Sequence, residues 1–183
     1  MRNIAIYKAT LDNEEIDQLK SVLQAKDDLS KVLEFEEKMV KYIGAKYAIA
    51  TATSTAALHL ALSSMRLKRG DKVLMSVNSF VNLPETVRHF DAEPIFVDIN
   101  LEDMNLDIEK FEETIIANKS KKLRAAIITF IGGLAPNLDK IYEIGKKYNI
   151  LIIEDCRAAL GTTYKGKKVG NLGADMTIFS TNP

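Results

Sequence analysis

Two stretches of the chain, Ala125-Ala-Ile-Ile-Thr-Phe-Ile131 and Ile150-Leu-Ile-Ile153, are apolar almost without interruption. A strand with one wet face alternates apolar and polar residues, so a continuous run marks a strand covered on both faces by crossover helices. With these two included, β-type runs are expected at Tyr47–Thr51, Lys72–Ser76, Pro94–Val97, Arg124–Phe130 and Ile150–Glu154. Between them, apolar residues recur at helical spacing over Thr55–Met65, Phe80–Phe90, Ile108–Asn118 and Leu138–Tyr148,. Two amphipathic helices precede these, Glu14–Ala25 and Leu29–Ile43, with Gly44 as a helix stop,. The alternation predicts an α/β fold, a three-layer sandwich around a mostly parallel sheet. After Asp155 the rhythm changes: Thr162–Tyr164 and Lys167–Val169 flank the tight-turn pair Lys165-Gly166, and Met176–Ser180 reads as one more strand,.

Composition narrows the function. Lys plus Arg and Asp plus Glu are equal at 25 each among 183 residues, so charge gives no reason to expect nucleic acid or an anionic membrane as partner,. The longest apolar stretch is too short to span a bilayer, and the start Met1-Arg-Asn-Ile lacks the pattern of an export signal,. One cysteine, Cys156, cannot build a disulfide framework and suits a reducing compartment, so a cytoplasmic location is expected,. Neither a metal motif nor a dinucleotide glycine pattern occurs,. Gly161–Lys168 comes nearest to a nucleotide-phosphate loop, but Lys stands where Ser or Thr is needed and the stretch overlaps the expected hairpin,.

Four features fall at the carboxyl edge of the expected sheet, where α/β folds bind ligands. Thr53-Ser54-Thr55 opens a helix after the first strand, and a helix start with small hydroxyl residues suits a phosphate,. Helix capping alone would also account for those residues. Phe80 follows the second strand; Glu154 and Asp155 end a buried one; Ser180 ends the last. A carboxylate so placed can hold a metal, act as a base, pair with a protonated ring nitrogen, or merely cap the next turn.

In order and spacing, these features resemble the DegT/DnrJ/EryC1/StrS family of sugar aminotransferases. The carriers are Thr53-Ser-Thr-Ala-Ala-Leu-His-Leu-Ala-Leu62, Gly70-Asp-Lys-Val-Leu74, Ser79-Phe80, Ala92-Glu-Pro-Ile-Phe-Val-Asp98 with Asn105-Leu-Asp107, Ile153-Glu-Asp-Cys156, Leu160-Gly-Thr-Thr-Tyr-Lys-Gly-Lys-Lys-Val-Gly-Asn-Leu-Gly173 and Phe179-Ser180. The resemblance implies the pyridoxal 5'-phosphate-dependent transferase fold of the aspartate aminotransferase type. On that reading residues 1–183 are the N-terminal part of the large, cofactor-binding domain, with a helical segment over 1–44, an α/β core over 45–183, and no C-terminal small domain. It implies that Ser54, Thr55 and Ser180 hold the cofactor phosphate, that Phe80 stacks on the pyridine ring, and that Asp155 pairs with the ring nitrogen,. The family's Schiff-base lysine falls a few residues beyond Pro183, so this length of chain is expected to be inactive alone.

The implied activity is transfer of an amino group, with glutamate as donor, to a nucleotide-linked keto-sugar, by a homodimer. Two alternatives remain open at this point: a dehydratase of the same family, with His in place of the lysine, and a non-catalytic subunit that binds a partner or sugar nucleotide. Three departures accompany the resemblance. Ala158 stands where the family has a Gln that reaches the cofactor's ring oxygen, and Phe130-Ile-Gly-Gly133 stands where a His usually precedes a turn. Thr53-Ser54 replaces Asn-Gly, so Ser54 is expected to meet a backbone conformation easiest for glycine,.

Overall fold

The computed structural model describes residues 11–24 and 29–181. Ala25, the expected end of the first helix, lies outside the described residues, as do Met1 at one end and Asn182 and Pro183 at the other. Five strands form one sheet: β1 Lys72–Ser76, β2 Glu93–Val97, β3 Leu123–Thr129, β4 Leu151–Cys156 and, after the two short strands described below, β7 Met176–Phe179. Their order is β2-β1-β3-β4-β7 and every pairing is parallel. The expected three-layer α/β architecture is therefore found.

The continuous apolar runs are explained by what covers each face. In β3, Ala126 and Ile128 enter a core with Leu74, Ile152, Phe111 and Ile141, under the helices α5 Ile108–Ala117 and α6 Leu138–Tyr148. Ala125 and Ile127 enter a second core with Val73, Met75, Leu62 and Leu83, under α3 Ser54–Ser64 and α4 Asn82–Arg88. The helices joining β1 to β2 and β2 to β3 thus lie on opposite faces, which puts the topological switch between β1 and β3,. Local capping agrees: Asp107 and Asn137 accept from the backbone N–H groups of Lys110 and Lys140, and Asn149 ends α6 in the left-handed conformation,.

The hairpin is found as β5 Thr163–Tyr164 against β6 Lys167–Lys168, with Lys165 and Gly166 both at positive φ, as a two-residue turn of matching twist requires. One expected strand is not found. Residues 47–51 run without strand pairing, and Tyr47 and Ile49 are 74% and 71% exposed. The segment lines one wall of a cavity of about 1060 Å³ whose other wall includes β7, so no neighbouring backbone completes a ladder,. Its Ala50 N–H instead donates to Glu36 in α2 Leu29–Ile43, at 2.7 Å. The first helix, α1 Asn13–Gln24, and α2 form as expected, but α1 buries none of its residues.

Candidate active site

The helix start after the unpaired segment turns its first backbone N–H groups outward,. Thr53 is extended (φ −149°) and its Oγ1 accepts from the Ala56 N–H at 3.0 Å, so the capping role falls to Thr53. The N–H groups of the first turn, at Ser54 and Thr55, have no acceptor within the helix, and they sit at its positive end,. The glycine-like backbone expected of Ser54 is overturned: Ser54 opens α3 and is not among the residues at positive φ. With Thr53 as the cap, the helix begins at Ser54, one residue earlier than expected, and Ser54 needs only ordinary helical geometry,. Ser54 and Ser180 line the same cavity, whereas Thr55 turns toward α4.

A chain of side chains links this helix start to the acid. Thr55 Oγ1 accepts from Asn82 Nδ2 at 2.7 Å, and Asn82 Oδ1 accepts from Arg157 Nη1 at 2.8 Å. The same guanidinium grips Asp155 at both oxygens, Nε to Oδ1 at 2.5 Å and Nη2 to Oδ2 at 2.7 Å. Asp155 is 4% exposed, near the carboxyl end of β4, and pairs in register with Thr129, whose hydroxyl lies 3.5 Å from Oδ2. Phe80 precedes α4 rather than beginning it, is 66% exposed, and its ring centroid is 5.9 Å from the Arg157 guanidinium carbon. Thr55, Phe80 and Asp155 are thus brought together, and Ser54 and Ser180 face one another's cavity beside them.

Only one of the two adjacent acids serves this face. Strand alternation sends Glu154 to the other side, where it accepts from Tyr142 and, at 2.8 Å, from the Thr177 hydroxyl. Burial pushes the Glu154 carboxyl up, the hydrogen bonds from Tyr142 and Thr177 opposing it. Cys156 is buried, and burial together with the Glu154 and Asp155 charges pushes its thiol far up, so it is a core residue and not a nucleophile,.

The sequence did not single out Asn82, Thr129 or Arg157 as site residues. Asn82 stands two residues after Phe80, the one local signal that could have found it. At the two atypical positions, Phe130 is packed into the core and Ala158 offers no polar side-chain atom. The turn after β3 uses Gly132 and Gly133 at positive φ and is held by the buried Asn105, which accepts from the Ile131 N–H at 3.0 Å. A side chain on Gly133 would come within 3.0 Å of the Ala158 carbonyl oxygen, so that turn packs directly on the loop after Asp155.

Among known proteins, the UDP-4-amino-4,6-dideoxy-N-acetyl-beta-L-altrosamine transaminase of Campylobacter jejuni is 36% identical over 94% of this chain and 46% of its own length. The GDP-perosamine synthase of Caulobacter vibrioides is 36% identical over 81% of this chain and 39% of its own. The chain therefore spans less than half the length of these relatives. Among solved structures, a GDP-4-keto-6-deoxy-D-mannose-3-dehydratase from Escherichia coli with bound hydrated PLP superposes with a TM-score of 0.82, 25% identical, over 94% of this chain and 46% of that one. The family model of the DegT/DnrJ/EryC1/StrS aminotransferases, whose cofactor is pyridoxal phosphate, matches residues 9–183. That match takes in nearly the whole chain, parallel sheet included, and the chain belongs to the DegT/DnrJ/EryC1/StrS aminotransferase family.

Proposed function

We propose that this chain is the N-terminal part, residues 1–183, of the cofactor-holding large domain of a pyridoxal-phosphate-dependent aminotransferase acting on a nucleotide-linked keto-sugar. Glutamate is the proposed amino donor, a homodimer the proposed working form, and the cytoplasm the proposed location. The observation that carries the reading is the linked set Thr55–Asn82–Arg157–Asp155, with Phe80 beside it, on one edge of the sheet.

The residues fit most of the cofactor. The unpaired N–H groups at Ser54 and Thr55 and the Ser54 and Ser180 hydroxyls suit a phosphate, the exposed face of Phe80 suits a pyridine ring, and the Asp155 carboxylate suits a protonated ring nitrogen. They fit less well at Ala158, which cannot reach the ring oxygen with a polar atom. When bound, the cofactor supplies an electron sink for the carbon that carries the amino group. The α3 start orients that group through its phosphate, because several N–H donors and the helix dipole act on one anion. Phe80 fixes the plane of the ring. Asp155 keeps a proton on the ring nitrogen, and its burial makes that attraction stronger than it would be in water,.

A dehydratase is the second reading, favoured by the superposition on a 3-dehydratase with bound PLP. One experiment separates them. The protein at its full encoded length, given glutamate and a nucleotide-linked 4-keto-sugar, is expected to form 2-oxoglutarate and an amino sugar in equal amounts, followed by mass spectrometry. A deoxygenated keto-sugar instead would favour the dehydratase, and no turnover of either kind with cofactor present would overturn both.

A further inference from the structure

Arg157 holds more of the candidate site than any other side chain. It forks onto both oxygens of the buried Asp155, donates its third nitrogen to Asn82, and through Asn82 reaches Thr55. Its guanidinium is a planar cation, 5.9 Å from the Phe80 ring centroid and with its side chain only 16% exposed. These are the properties that a protonated pyridine ring would bring to the same place: planar, positively charged, beside Phe80 and on Asp155. We propose that Arg157 is an internal occupant of the ring subsite, which the cofactor ring must displace from Asp155 in order to bind, so that Arg157 sets the affinity of the site for its cofactor. The proposal rests on the cofactor reading above.

Two physical points favour exchange over coexistence. A ring lying between Phe80 and the guanidinium needs two van der Waals contacts of about 3.5–4.0 Å, or about 7–8 Å in all. The 5.9 Å available is too short. The fork also engages both carboxylate oxygens in the geometry that binds Arg best, with Thr129 beside one of them, so a ring nitrogen has to compete with a charge-assisted pair already in place on Asp155,. The phosphate end meets this competition only through the Asn82 link to Thr55, since Ser54 and Ser180 line a cavity that Arg157 does not line.

The test titrates pyridoxamine 5'-phosphate, which has no aldehyde to react with surface lysines, into the protein and its variants, following ligand fluorescence. Arg157→Ala should bind at least ten times more tightly than the natural protein. Arg157→Gln, which keeps a hydrogen-bonding side chain should the Ala variant unfold, should bind at least three times more tightly. Inorganic phosphate, competing at the phosphate end alone, should bind neither variant more tightly than it binds the natural protein. Adding Asp155→Asn to Arg157→Ala should abolish the gain. Equal pyridoxamine phosphate affinity in the natural protein and both variants would overturn the role of Arg157 and leave the cofactor reading standing. A parallel gain in inorganic phosphate affinity would overturn it too, as general loosening. No binding by any variant would overturn both.

Discussion

Glu154 and Asp155 are neighbours in sequence and strangers in space. The period of two in a strand turns one toward α6 and Tyr142 and the other toward Asn82 and Arg157,. Their electrostatics differ accordingly, because Asp155 has a bidentate cation and Glu154 has neutral donors, the Tyr142 and Thr177 hydroxyls and the Gly170 backbone. A carboxyl pushed up by burial binds its proton more tightly in the folded than in the unfolded chain. Its contribution to stability is therefore full below the unfolded value, and is lost as pH rises through the higher folded one,. Glu154→Gln keeps an acceptor for Tyr142 without the charge, and should gain stability relative to the natural protein as pH rises from 4.5 to 8, in urea titrations at several pH values. Equal pH dependence of the two proteins would contradict this. At the helix start, Thr53→Ala should cost about 1 kcal/mol of stability through the lost cap,. The hydroxyl residues, Phe80 and Asp155 could be picked out in the sequence because each stands at or near the end of an element. Asn82 and Arg157 were not, since the bond between them joins residues 75 apart and only the fold brings them together.

At the scale of elements, legibility followed the number of covered faces. The runs in β3 and β4 are almost wholly apolar because cores lie on both faces, and their shortness and β-branched content favour a buried strand over a buried helix,. Residues 47–51 have the same β-type composition, yet lack a neighbouring strand, and strand propensity alone does not make a ladder,. Hydrogen exchange should show the difference: the amides of Tyr47, Ala48 and Ile49 should exchange among the earliest, and those of Ile127 and Ile153 among the latest. Protection at 47–49 equal to that of β3 would show that the segment is paired in solution. Helix ends were less legible than helix centres. The expected helix Phe80–Phe90 is found only over Asn82–Arg88, which leaves Phe80 in the preceding turn, exposed beside Arg157.

The whole molecule is two cores back to back on one sheet, and they should respond independently to damage. Leu62→Ala on one face and Ile141→Ala on the other should each cost about 2–5 kcal/mol,, and the double variant should cost their sum to within about 0.5 kcal/mol, because the side chains share no neighbour across the sheet. Denaturant unfolding of the three variants checks this. Outside the cores, large apolar side chains remain exposed on the helices and loops, among them Tyr47, Ile49, Phe80 and Leu134. A surface of this kind is expected to self-associate, so light scattering should show the chain above monomer mass at high concentration; a stable monomer would contradict that expectation. The claim on which the rest depends is that the carboxyl edge of this sheet holds pyridoxal phosphate, and a crystal structure of the protein with pyridoxamine 5'-phosphate tests it most directly. The phosphate should lie on the N–H groups of Ser54 and Thr55 with Ser180 beside it, the ring against Phe80, and the ring nitrogen on Asp155 with Arg157 displaced; density for the ligand at any other place on the chain would contradict it.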